Sequence, residues 1–99
     1  AYNFGPETRD AATVGEVVSW AQKAYGKGCV ELRPDAGAPH EANWLALEVA
    51  KARAVLGVVP HWSLDQAISK TMNWYRAQYE GEDARALCLG DILAYGEAA

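Results

Sequence analysis

Cysteine is scarce in this chain of 99 residues: Cys29 and Cys88 are its only two. Two such residues make no disulfide framework, so a small secreted scaffold held by bridges is excluded. They read as buried, reduced thiols, because free cysteine is among the most buried residue types. No apolar run approaches the ~20 residues that a bilayer-spanning helix needs, and no signal peptide opens the sequence. A cytoplasmic setting without membrane contact is therefore expected. Positive charge is short as well: nine Lys and Arg against thirteen Asp and Glu leave a net charge of −4. The basic residues are scattered and form no stripe, so no nucleic-acid footprint is visible. An anionic ligand would be repelled at long range and would have to be captured by local donors. Internal repeats and low-complexity tracts are missing. His40, His61, Glu41 and the two cysteines show no short ligand spacing, so no metal site is expected.

What is present is the composition of a folded domain. Hydrophobic residues make up 51% of the chain, with four tryptophans and five tyrosines. The length allows one domain, which buries only about 60–65% of the surface its unfolded form exposes. Tyr2-Asn3-Phe4 reads as a short strand stopped by Gly5-Pro6. Thr13-x-x-Glu16 is a capping box at a helix start. Val14, Val17, Val18, Ala21 and Ala24 follow at helical spacing, and Gly26 ends that helix. Cys29 to Arg33 alternates as a strand, with Val30 and Leu32 on one side. Residues 34–42 form a proline- and glycine-bearing loop. Asn43 to Glu48 alternates again, and Val49 to Leu56 is a brief alanine-rich helix stopped by Gly57. Ser63-x-x-Gln66 opens the longest helix, about Leu64 to Glu80. Its inner face is assigned to Leu64, Ala67, Ile68, Thr71, Trp74, Tyr75 and Gln78 or Tyr79. Gly81 breaks it, and Leu87 to Tyr95 is a last helix with Leu89, Ile92 and Leu93 inward. The expected fold class is α+β: a small lobe of short strands packed with about four helices. The Trp74, Tyr75 and Tyr79 cluster reads as core packing, and Glu48, Lys51 and Arg53 as a solvated helix face.

The stretch Pro39-His40-Glu41-Ala42, followed by Leu45, Leu47, Lys51-Ala52-Arg53 and Leu56-Gly57, carries the most specific pattern. With Tyr2-Asn3-Phe4-Gly5-Pro6, Thr13-Val14, Val17-Val18, Pro60, Trp62, Leu64 and Trp74-Tyr75, it resembles CDP-glucose 4,6-dehydratases of the extended short-chain dehydrogenase/reductase family. Gly81-Glu82-Asp83, Arg85-Ala86, Leu89, Ile92 and Tyr95 resemble that family's C-terminal tail. The resemblance covers nearly the whole chain, in the family's order and spacing. It implies that residues 1–99 are a C-terminal nucleotide-sugar-binding lobe whose dinucleotide-binding domain is absent here. The start at Ala1, without methionine, points the same way, to a fragment or a processed chain.

The resemblance implies a parent reaction in which bound NAD oxidises the sugar at C4, water is lost across C5–C6, and hydride returns at C6. The sequence itself lacks the parts for this chemistry. No glycine-rich phosphate turn lies between a strand and a helix, and no tyrosine has a lysine four residues later, the Y-x-x-x-K spacing that puts both on one helix face. Residues 1–99 alone are therefore expected to bind no cofactor and carry no catalytic residue. The substrate-binding candidates are Glu41, whose carboxylate can accept both hydroxyls of a ribose, and His40, which can donate to a phosphate or stack on a base. The family resemblance implies the ribose role for Glu41. The sequence departs from the family at four places. Ala38 stands about where most extended members carry a pyrophosphate-binding arginine; the CDP-glucose branch tends to lack that arginine too, so this gap favours the branch. Val49-Ala50 replace a small polar pair, Val58 a tryptophan and His61 an arginine. The expected partners are CDP-glucose in the parent enzyme, the missing dinucleotide-binding domain, and other copies of the fragment through apolar surface left uncovered. A free-standing binding module that kept the lobe's fold is the rival reading; a start codon close to Ala1 would favour it.

Overall fold

The computed structural model describes residues 1–31, 33 and 47–98. In order they form a 3-10 turn at Thr8–Asp10, helix α1 at Val14–Tyr25, a π turn at Ala52–Leu56, helix α2 at Leu64–Tyr79 and helix α3 at Ala84–Glu97. Each helix begins where a side chain satisfies the first free N–H groups. At α1 the Thr13 hydroxyl accepts the Glu16 N–H at 3.2 Å, and the Glu16 carboxylate accepts the Thr13 N–H at 2.8 Å. At α2 the Gln66 carboxamide oxygen accepts the Ser63 N–H at 3.0 Å. The Ser63 hydroxyl donates to Asp65, and this bond, helped by nearby backbone N–H groups, holds the Asp65 carboxyl below its ordinary range. At α3 the Asp83 carboxylate accepts the Ala86 N–H at 3.0 Å.

Among the described residues there is no strand, so the α+β expectation is corrected to an all-helical arrangement. The reason is pairing. A strand needs a neighbour for its backbone N–H and C=O groups, and a lone pair of strands is marginal even then. Ala1–Pro6 is instead held by side chains: Asn3 donates to the Glu48 carbonyl at 3.4 Å, and Lys51 donates to the Ala1 carbonyl at 2.9 Å. Cys29, Val30, Glu31 and Arg33 are irregular. The remaining expected strand, Asn43 to Glu48, lies mostly outside the described residues.

The helices lie where the sequence puts them, but their faces do not all follow. α1 turns Val17, Val18, Trp20, Ala21 and Ala24 half inward and packs on α2. Gly26 ends α1 at φ 78°, and Arg76 of α2 donates to the Tyr25 carbonyl at 3.2 Å, satisfying a free acceptor of the last turn. On α2, Leu64, Ala67, Ile68, Met72 and Trp74 are half-buried, whereas Thr71, Tyr75, Gln78 and Tyr79 are exposed. The assigned inner face therefore holds for Leu64, Ala67, Ile68 and Trp74 and fails for Thr71, Tyr75, Gln78 and Tyr79; Arg76 and Ala77 take the inner positions near the end of the helix. α3 starts three residues earlier than Leu87, because Asp83 supplies a cap that the apolar spacing does not reveal. Its inward residues are Leu87, Asp91, Ala94 and Tyr95, so the inward assignment of Leu89, Ile92 and Leu93 is reversed.

Very little is enclosed. Among the described residues Ala52 alone is fully buried, at 2% exposure, and both cysteines are exposed rather than buried. The helices are well capped but cover no common core of ordinary size.

Gly26 offers a direct test of the α1–α2 junction. A Cβ there would sit 3.2 Å from the Arg76 guanidinium, on a backbone that L-residues rarely adopt. Gly26→Ala is expected to destabilise the chain by about 1–2 kcal/mol, read as a lower urea midpoint at unchanged slope. An unaltered midpoint would place the α1 terminus elsewhere.

Candidate functional site

The best-formed concavity, about 450 Å3, lies between the N-terminal segment, the π turn and the start of α2. Its walls come from Phe4 and Pro6, from Ala52 and Val58, and from Trp62 and Leu64, with Tyr95 reaching in from α3. The polar groups on its edge are Asn3 and the Arg53 guanidinium. Size and lining are those of a small-molecule cavity, mostly apolar with few polar groups.

The sequence builds these walls from three local devices. Gly57, at φ 68°, closes the π turn and donates to the carbonyls of Ala52 and Arg53. That wide turn points Ala52 inward and leaves Lys51 and Arg53 to hold the N-terminal segment. Lys51 sits 4.7 Å over the Tyr2 ring. Arg53 pairs with Glu7 at 3.2 Å, and Arg9 pairs with the other oxygen of the same carboxylate at 2.8 Å. Glu48, Lys51 and Arg53 are exposed, yet they are not simply a solvated face, because each is bonded to backbone or to an opposite charge. Arg53 also borders a second concavity of about 300 Å3, formed by Glu7–Arg9 and Leu47–Ala50.

The third device is an aromatic junction. The Tyr95 hydroxyl accepts the His61 N–H at 3.1 Å and donates to the Val59 carbonyl at 3.4 Å. The His61 ring stacks on Tyr95 at 4.5 Å, and Trp62 meets the same ring edge-on at 4.9 Å. His61 Nδ1 lies 3.1 Å from the Tyr95 carbonyl oxygen. A carbonyl only accepts, so Nδ1 carries the proton and Nε2 is the free acceptor of the neutral ring. Lys70 adds a cation 5.4 Å from the Trp62 ring. His61 thus has a structural role, holding α3 to the segment before α2.

Glu41 and His40, the substrate-binding candidates from sequence, lie outside the described residues. The described chain resumes at Leu47, which with Val49 lines the second concavity. Of the aromatic cluster singled out on α2, Trp74 and Tyr75 meet edge-on at 5.3 Å, with Tyr75 and Tyr79 exposed. They line no part of the main cavity. Trp62 and Tyr95 do, and sequence reasoning missed their role, because residues 33 apart in sequence share no periodicity. Among the described residues no group of three or more His, Cys, Asp or Glu converges. The hydroxyl–carboxylate pairs Thr13–Glu16 and Ser63–Asp65 are helix caps on the surface. The cavity therefore offers shape, stacking surface and one cation.

Comparison with known proteins gives a partial answer. The chain is 35% identical over 97 residues to a CDP-glucose 4,6-dehydratase from Salmonella typhimurium, a match that takes in 98% of this chain. It spans only 27% of that relative's length. No family model and no solved structure matches the chain. The likeness is thus to about a quarter of a sugar-nucleotide enzyme.

The aromatic junction can be tested on the chain alone. Tyr95→Ala is expected to release Trp62 to solvent, red-shifting tryptophan emission and lowering the thermal midpoint. Tyr95→Phe keeps the ring contacts and leaves two hydroxyl bonds unmade, so it should lose about 1–2 kcal/mol. Equal effects of the two substitutions would show that the ring contacts contribute nothing.

Proposed function

We propose that this chain is the C-terminal, nucleotide-sugar-binding part of a CDP-glucose 4,6-dehydratase or a close relative. The observation that carries this reading is the extent of the match: 98% of the chain aligns to a segment of one such enzyme. The surface supports it. Large apolar side chains stand open, with Leu89, Ile92 and Leu93 of α3 at 51%, 67% and 68% exposure, as on a lobe separated from the body it packs against. The 450 Å3 cavity is large enough for a nucleoside.

In the parent reaction CDP-glucose loses water to give CDP-4-keto-6-deoxyglucose, with NAD taking and returning the hydride. The glycines among the described residues do not fit an NAD site. The described glycines with positive φ are Gly26, Gly28, Gly57 and Gly81. All four follow helix C-termini, whereas a dinucleotide phosphate is held at a helix N-terminus after a strand. The lobe's contribution is to substrate binding, with Glu41 on the ribose and His40 beside it. The setting of such an enzyme is cytoplasmic, and among the described residues no helix is long and apolar enough to cross a membrane.

Residues 1–99 are expected to bind no NAD and to leave CDP-glucose unchanged. A cofactor-dependent 4-keto product from the purified chain would refute this. In a full-length enzyme carrying this lobe, Glu41→Ala should raise the Michaelis constant for CDP-glucose at least roughly ten- to hundredfold, the worth of one hydrogen bond to a charged group. Bound NAD should stay constant, and His40→Ala should have the smaller effect. An unchanged Michaelis constant for Glu41→Ala would mean that the nucleotide is held elsewhere.

A further inference from the structure

The cavity between the N-terminal segment and α2 leaves room for a guest. It measures about 450 Å3, where about 150 Å3 lined by apolar groups is enough to hold a benzene ring. Trp62 and Tyr95 form one corner of it, their rings 4.9 Å apart and at 88° to one another. Such a corner suits a third ring, which can lie along one wall and meet the other edge-on, the two arrangements that aromatic pairs favour. Phe4, Pro6 and Pro60 add further apolar surface.

The polar groups are one-sided. Arg53 is the one charged residue among the described residues that line this cavity. Among those residues its guanidinium makes one hydrogen bond, to Glu7 at 3.2 Å, which leaves most of its donor fork for a ligand. Glu7 does not neutralise it fully, because Arg9 shares the same carboxylate at 2.8 Å. The remaining polar side chains are engaged: the Tyr95 hydroxyl accepts from His61 and donates to Val59, and Asn3 donates to the Glu48 carbonyl. No carboxylate among the described residues lines the wall to receive a cation.

We propose that this cavity binds a small aromatic anion, its ring against Trp62 and Tyr95 and its acidic group on Arg53. A guanidinium matches a carboxylate or phosphate in geometry as well as in charge. An aliphatic ligand would forgo the ring contacts, and a cationic one would face Arg53 with no partner. Two sources share this chemistry: a free aromatic acid, and a nucleotide that carries ring and phosphate in one molecule. The proposal does not rest on the dehydratase reading, since a free acid satisfies it equally.

Nuclear magnetic resonance titration of the 99-residue chain with benzoate tests the proposal, with benzamide and benzylamine as neutral and cationic counterparts. The Trp62 indole N–H and the Arg53 side-chain N–H should shift together as benzoate is added. Benzamide should bind about tenfold more weakly, the worth of one hydrogen bond to a charged group, and benzylamine more weakly still. Arg53→Met keeps the apolar stem and should bring benzoate down to the affinity of benzamide. Benzamide binding should be unchanged in that variant, which shows the cavity intact. Val58→Trp sets an indole on the wall and should abolish binding of all the ligands; Val58 is 42% exposed, so helicity should hold. If that variant loses helix, the benzamide comparison in Arg53→Met decides alone. Cytidine monophosphate then separates the sources: displacement of benzoate supports the proposal with a nucleotide as ligand, and no displacement supports it with a free acid. Equal affinities for benzoate and benzamide overturn the proposal. So does benzoate binding that Arg53→Met leaves unchanged, or a Trp62 indole that benzoate does not shift.

Discussion

Tyr95 is the residue on which the arrangement around the cavity depends. Its hydroxyl bridges the His61 N–H and the Val59 carbonyl, and its ring lies between the His61 face and the Trp62 indole. A single side chain from the last helix thus fixes the irregular stretch that leads into α2. Stacked and edge-on aromatic contacts add about 0.5–1.5 kcal/mol each beyond the area they cover. Two of them with two hydrogen bonds form a local tie in a chain that encloses one small residue fully. With the tie in place, Trp62 and Tyr95 become wall, and Arg53 becomes the cation at the rim.

A second tie works at the opposite end of α2. Arg76 reaches the last turn of α1 and replaces solvent at the Tyr25 carbonyl, while Gly26 turns the chain away. Between the ties the helices are amphipathic on short stretches only. Charged pairs such as Arg76 with Glu80, at 3.2 Å, are half-exposed and worth little by themselves. Stability is therefore concentrated at a few polar and aromatic junctions.

Helix positions were legible in the sequence because their signals are local. Thr13 with Glu16, Ser63 with Gln66, Gly26, Gly57 and Gly81 act within a turn of where they stand. The strands were misread because a strand is a statement about two segments. Alternation in Cys29–Arg33 marks a segment able to pair, and among the described residues nothing pairs with it. The inward assignment of Leu89, Ile92 and Leu93 failed for a related reason. Hydrophobicity says that a side will be covered, and not by which molecule; α3 is apolar on two sides, and its own chain takes the one with Tyr95. The same blindness hid the cavity. Its walls come from segments as far apart as Asn3 and Tyr95, joined by Tyr95 and by Arg53 with Glu7. Glu41 and His40 were reached through resemblance, and they lie outside the described residues.

The π turn at Ala52–Leu56 holds one residue more than an α-helical turn of the same reach. It behaves as a stored insertion. Were the segment to close as ordinary α-helix with all its residues kept, the extra residue would carry everything after it about 100° further around the axis. Val58 and Pro60 would leave the wall, while Lys51, before the turn, would keep its hold on Tyr2. The width of the turn at this one point, more than the identity of any side chain there, sets whether the two halves of the cavity face each other.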